Sequence, residues 1–117
     1  MQKSLKILFF HNTLPEYRIG WFRNLAQNAD VQFVFTNEQL NKKEYGFTIE
    51  YEKIKELKCK FLLDGKQGIK DLKQIMGDSI QYDFVELPPI DSLREVIYSA
   101  YIVYVCKKKN IKIGYFW

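Results

Sequence analysis

Residues 6–25 read KILFFHNTLPEYRIGWFRNL, and this stretch decides the fold. Leu5 to Phe10 is a short apolar run with one lysine, which predicts a strand buried on both faces. Thr13-Leu14-Pro15-Glu16 then has capping-box spacing with proline in the opening turn. Ile19, Phe22, Leu25, Ala26 and Ala29 follow at helical intervals, so a helix is expected from Glu16 to Asn28. Val31 to Thr36 (VQFVFT) is a second strand. A helix between two strands of one sheet must cross over it, which makes the two strands parallel.

Working outward, the stretch from Asn37 to Glu56 is the least legible. Phe47, Ile49 and Tyr51 alternate with Thr48, Glu50 and Glu52, which suggests an extended excursion or an edge strand. Leu57, Cys59 and Phe61 alternate with Lys58 and Lys60 and predict a third main strand before the Asp64-Gly65 turn. Ile69, Leu72, Ile75 and Met76 have helical spacing, and Gly77 is expected to end that helix. Tyr82 to Leu87 (YDFVEL) reads as a fourth strand, stopped by Pro88-Pro89.

Residues 91–117 admit two readings. The β-branched and aromatic content of IVYVC and IKIGYF, with KKKN between them, allows a hairpin. Ser92-Leu93-Arg94-Glu95 has capping-box spacing, and Lys107 to Lys109 suit the negative end of a helix dipole, which favours a helix from Leu93 to Lys109 and a strand from Ile111 to Phe116. The expected fold class is therefore α/β, a Rossmann-like open, mainly parallel sheet of about five strands with helices on both faces. Residues 1–117 form a single domain on this reading. The final Ile113-Gly114-Tyr115-Phe116-Trp117 reads as the middle of a sheet rather than a natural terminus, so the chain is expected to be one lobe of something larger.

Composition bounds the function. The chain has 117 residues, 47% of them hydrophobic and 27% charged, which describes a folded domain and excludes disorder. Its net charge is +4, but fifteen of the eighteen basic residues are lysines spread along the sequence, so a solvated surface is the plain reading and no nucleic-acid partner is expected. Cys59 and Cys106 form no C-x-x-C pair and read as buried and reduced; no metal site is expected. No signal peptide is evident. The longest apolar run, Val96 to Cys106, falls short of a membrane span, which places the chain in the cytoplasm.

There is no G-x-G-x-x-G, no G-x-x-x-x-G-K-[ST] and no G-x-S-x-G. The chemistry left is in the loop after the first strand, where open α/β sheets hold their ligands. His11 is the only histidine, and its ordinary pKa suits a general base or a hydroxyl-binding group. With no acidic partner identifiable in sequence, a loop histidine bonded to backbone is the plainer role. Asn12 and Thr13 shape the turn and cap the helix. Arg18 either grips a phosphate or carboxylate beside the helix N-terminus or covers Tyr17 and Phe22 with its stem. Tyr98, Tyr101 and Tyr104 offer an aromatic platform for a sugar ring, although core or interface is the commoner use of such spacing. The last helix is apolar on almost every side, so something is expected to cover its outer face. Lys107 to Lys109 offer a peripheral contact with anionic lipid at the inner membrane face, but three lysines are fewer than a polybasic cluster usually has.

Two segments together resemble the N-terminal lobe of GT-B glycosyltransferases of the large bacterial group 1, or retaining, family. KILFFHNTLPEYRIGWFRNLAQNADVQFVFT carries the pattern P-x-Y-R-x-x-x-F-x-x-L as Pro15, Tyr17, Arg18, Phe22 and Leu25. YDFVELPPIDSLREVIYSAYIVYVCKKKNIKIGYFW is similar to the later strand-helix-strand, with Asp83 ahead of an apolar strand and Lys107 to Lys109 ahead of the next. The resemblance implies an acceptor-binding lobe of an enzyme that moves a sugar from a nucleotide-diphospho-sugar to a polysaccharide or glycolipid acceptor. His11, Asn12, Pro15, Tyr17 and Arg18 would face the cleft, with Leu87 to Asp91 and Trp117 on the same side. The donor and the Glu-x7-Glu motif would belong to an absent C-terminal lobe or partner chain, so this lobe would bind no cofactor and be inactive alone. The glycine-rich first loop and the histidine after a middle strand have no counterpart here. A stand-alone flavodoxin-like or Rossmann-like binding module is the alternative.

Overall fold

The computed structural model of the protein describes residues 5–11, 19–36, 57–62, 66–78, 81–90 and 92–115. The element order is β1 (Lys6–His11), α1 (Ile19–Asn28), β2 (Asp30–Phe35), β3 (Lys58–Phe61), α2 (Lys66–Gly77), β4 (Phe84–Leu87), α3 (Leu93–Lys109) and β5 (Lys112–Tyr115). The five strands form one sheet in the order β3-β2-β1-β4-β5. Every neighbouring pair is parallel. This is a Rossmann-like open sheet. β1 lies at its centre, where the chain turns from one side of the sheet to the other.

Alternation along the strands sorts the core into two layers. Ile7, Phe9, Val31, Phe33 and Phe35 pack with Phe22 of α1 on one face. Leu8, Phe10, Val34, Val85 and Leu87 pack on the other face with Leu72, Ile75 and Met76 of α2 and Tyr98, Ile102, Val105 and Cys106 of α3. The α1 side is an aromatic cluster. Phe22 meets Phe33 at 5.1 Å between ring centroids, Phe35 at 5.8 Å and Phe9 at 5.9 Å, within the range where tilted rings attract.

The expectations hold in kind and shift at the edges. The helix reading of residues 91–117 is the observed one, bounded at Leu93 and Lys109 as expected. α2 begins at Lys66 instead of Ile69, because Lys66 and Gln67 are polar and give no apolar signal. β4 begins at Phe84 instead of Tyr82, because Asp83 is occupied otherwise: its Oδ2 accepts from the Lys6 backbone N–H at 2.9 Å, and its own N–H donates to the Lys6 carbonyl at 2.7 Å. The Glu16–Arg18 helix start, the 47–51 extended segment and the Asp64-Gly65 turn lie outside the described residues.

α3 ends at Asn110, a non-glycine residue with φ of 60°. Asparagine tolerates this left-handed conformation, and the Ile111 N–H returns to the Cys106 carbonyl at 2.8 Å, closing the helix. Lys109 serves a neighbour: its Nζ donates to the Met76 and Gly77 carbonyls at 3.0 and 3.1 Å, capping the end of α2.

Candidate functional site

The carboxyl ends of β1 and β4 define the site. From β1 the chain runs to α1 on one face, and from β4 it runs to α3 on the other, so the carboxyl ends of these two strands form the topological switch point, where open α/β sheets bind their ligands. His11 ends β1, half-buried, on the α1 face. Its ring meets Phe22 at 6.0 Å and Phe9 at 6.4 Å.

Glu86 shares that face. Phe9 pairs with Glu86 across β1 and β4, and His11 is two positions further along. Strand geometry therefore separates the two Cα atoms by about 8 Å. Glu86 is only 7% exposed, and among the described residues its Oε1 has no hydrogen-bond partner. Burial pushes its carboxyl above the ordinary range. On its other side lies Gly114 of β5, where the Phe84 ring occupies the space a Cβ would need. A carboxyl in this setting can donate a hydrogen bond when protonated or accept two when ionised, and an imidazole can do either. Together they can hold a hydroxyl group or take its proton.

The opposite face of the switch point is fastened by Glu95, which is fully buried. Thr36 Oγ1 donates to Glu95 Oε1 at 3.0 Å, Ser92 Oγ donates to Oε2, and Arg94 Nε lies 3.8 Å from Oε1. Thr36 also donates its backbone N–H to the His11 carbonyl at 2.8 Å. The end of β1, the end of β2 and the start of α3 are thus linked through one carboxylate. The capping box read from Ser92 and Glu95 takes a different form here. The two side chains bond each other, and Ser92 makes no side-chain cap.

Of the residues expected at the site, His11 stands at the carboxyl end of β1, while Asn12, Pro15, Tyr17 and Arg18 lie outside the described residues. Glu86 and Thr36 were missed. The available signal for Glu86 was an acid inside the apolar run FVEL. The tyrosine platform does not form as one surface: Tyr98 is buried, Tyr101 half-buried and Tyr104 62% exposed.

The remaining reactive groups lie elsewhere. Burial pushes the Cys59 thiol up to about 12 and raises Cys106, against which the Lys109 ammonium pulls down, so neither is a ready nucleophile. No three potential metal ligands cluster among the described residues. A polar cleft of about 310 Å³ opens at the amino ends of the strands, between Lys6, Asp30, Lys58, Asp78 and Tyr82. Within it Lys58 Nζ is paired with Asp30 at 2.8 Å, which also raises the Lys58 pKa. The Tyr82 hydroxyl is raised by its burial and by Asp30.

These features define a class: a parallel, doubly wound α/β domain whose switch point carries a half-buried histidine and a buried carboxyl on the same face of the sheet. No known protein family matches this chain, and no curated protein sequence matches it.

Proposed function

We propose that this chain is the N-terminal, acceptor-side domain of a cytoplasmic GT-B glycosyltransferase. In that role it presents a polysaccharide or lipid-linked sugar acceptor to a nucleotide-diphospho-sugar held by a second lobe or partner chain. The observation that carries the reading is Glu86, whose buried Oε1 has no hydrogen-bond partner among the described residues and whose Cα lies about 8 Å from that of His11 on the same face of the sheet. Such a pair suits a substrate hydroxyl, the group a sugar acceptor offers as nucleophile. The P-x-Y-R-x-x-x-F-x-x-L pattern at Pro15 to Leu25 is the second support. Arg18 is assigned to acceptor or phosphate binding, with Asn12, Pro15 and Tyr17 shaping that side of the cleft.

Intact mass of the native product from source cells, with the gene read past the Trp117 codon, tests the proposal. A product extended by a domain that contains Glu-x7-Glu, transferring sugar from a nucleotide donor and losing turnover on Arg18→Ala or Glu86→Gln, supports it. A product that ends at Trp117 and transfers no sugar overturns it in favour of a binding module.

A further inference from the structure

The α2–α3 layer has an outer surface that its own core does not use. α3 buries one side in the sheet, yet Leu93 (75% exposed), Val96, Ile97 (55%), Ala100 and Tyr104 (62%) lie along the other. Their spacing of three and four residues places them on one continuous stripe over three turns. At the end of that stripe Lys107 and Lys108 are exposed. α2 packs beside α3 in the same layer and adds exposed Lys66, Lys70 and Lys73, with Ile69 44% exposed among them. The Lys109 bond to the α2 carbonyls holds the two helices together at this end. Five exposed lysines therefore surround an apolar stripe. Among the described residues, acidic groups do little to offset them: Glu95 is buried, Asp71 is half-buried and bonded by Gln67 at 2.9 Å, and Asp78 is exposed just beyond α2.

We infer that this surface docks on an anionic membrane, with α3 lying in the headgroup region, Leu93, Ile97 and Tyr104 inserted, and the lysines against lipid phosphates. The inference does not depend on the glycosyl-transfer reading. Charge decides the occupant. A second copy laid stripe to stripe would bring two lysine arrays together, whereas anionic headgroups complement them. Both contributions to the binding of an interfacial helix, apolar area and attraction to anionic lipid, are present. No helix among the described residues is long and apolar enough to cross a membrane, so α3 would lie on it.

Co-sedimentation of the protein with two kinds of vesicle tests this: phosphatidylcholine alone, and equal parts phosphatidylcholine and phosphatidylglycerol. Binding to the mixed vesicles only, released by high salt, is expected. Lys107→Gln with Lys108→Gln should lower the partition coefficient about tenfold to thirtyfold. Ile97→Glu should lower it by about tenfold or more, with an unchanged melting temperature because the side chain is already exposed. A Tyr104→Trp variant should show a blue-shifted emission on mixed vesicles only. Failure to bind anionic vesicles at low salt, unchanged binding by Ile97→Glu, or a buffer dimer that Ile97→Glu disperses would each overturn the inference.

Discussion

Glu86 is the residue whose chemistry least fits its surroundings, and that gives it a measurable signature. Its folded-state pKa is raised by burial, so the folded chain holds the proton more tightly than the unfolded chain. The stability it contributes is complete below the ordinary carboxyl range and is lost as pH rises through the folded value. Glu86→Gln should therefore stabilise the protein near neutral pH by about 1 kcal/mol, with the gain vanishing in acid, as thermal melts from acid to neutral pH would record. A variant less stable than the parent at neutral pH would mean that the carboxylate has a partner when ionised. Gly114 makes the opposite case, since an added Cβ there would collide with the Phe84 ring. Gly114→Ala should lose about 1–3 kcal/mol in chemical denaturation. Neither property was legible in the sequence: an acid in FVEL could point either way until register placed it beside Phe9 and Gly114.

Elements are held by different forces on the two faces of the sheet. α1 has ten residues, too few to persist alone, and depends on Phe22 lodged among Phe9, Phe33 and Phe35. Phe22→Ala should cost about 3–5 kcal/mol in urea unfolding, the range for an emptied aromatic site. α3 is instead fastened at its first turn by a polar knot. Glu95→Ala leaves Thr36 without its carboxylate acceptor and should cost about 3 kcal/mol, while Ser92→Ala, which removes one hydrogen bond to that carboxylate from an exposed position, should cost about 1 kcal/mol. Equal losses would show that the knot is only a cap. The bounds of α3 were readable because a capping pair and a lysine run mark its ends, and the kinds of β1, α1 and β2 because their periods are strong. The partners of those signals were not readable: Glu95 reaches Thr36 fifty-nine positions away in the chain, and Lys109 caps α2 rather than its own helix.

For the whole molecule, the all-parallel sheet joins both layers into one body, and the cysteines report on each. Cys59 stands on β3 and Cys106 lies in the α2–α3 layer. With its pKa pushed up to about 12, Cys59 should react with a thiol reagent at mildly alkaline pH about a thousandfold more slowly than an ordinary cysteine. Cys106, fully buried, should be slower still, and both should label at once in denaturant. Labelling of Cys59 at the rate of a free thiol would show that the edge strand opens separately. What the sequence by itself determined is the order of strands and helices, the parallel sense of β1 and β2 and the two-sided burial of β1, because period, capping and crossover length are local properties. Tertiary structure alone decided that β4 sits beside β1, that Glu86 and His11 share one face of the switch point, and that the lysines of α2 join those of α3. Those are consequences of register and handedness, which act between segments far apart in the chain and leave no mark on either segment alone.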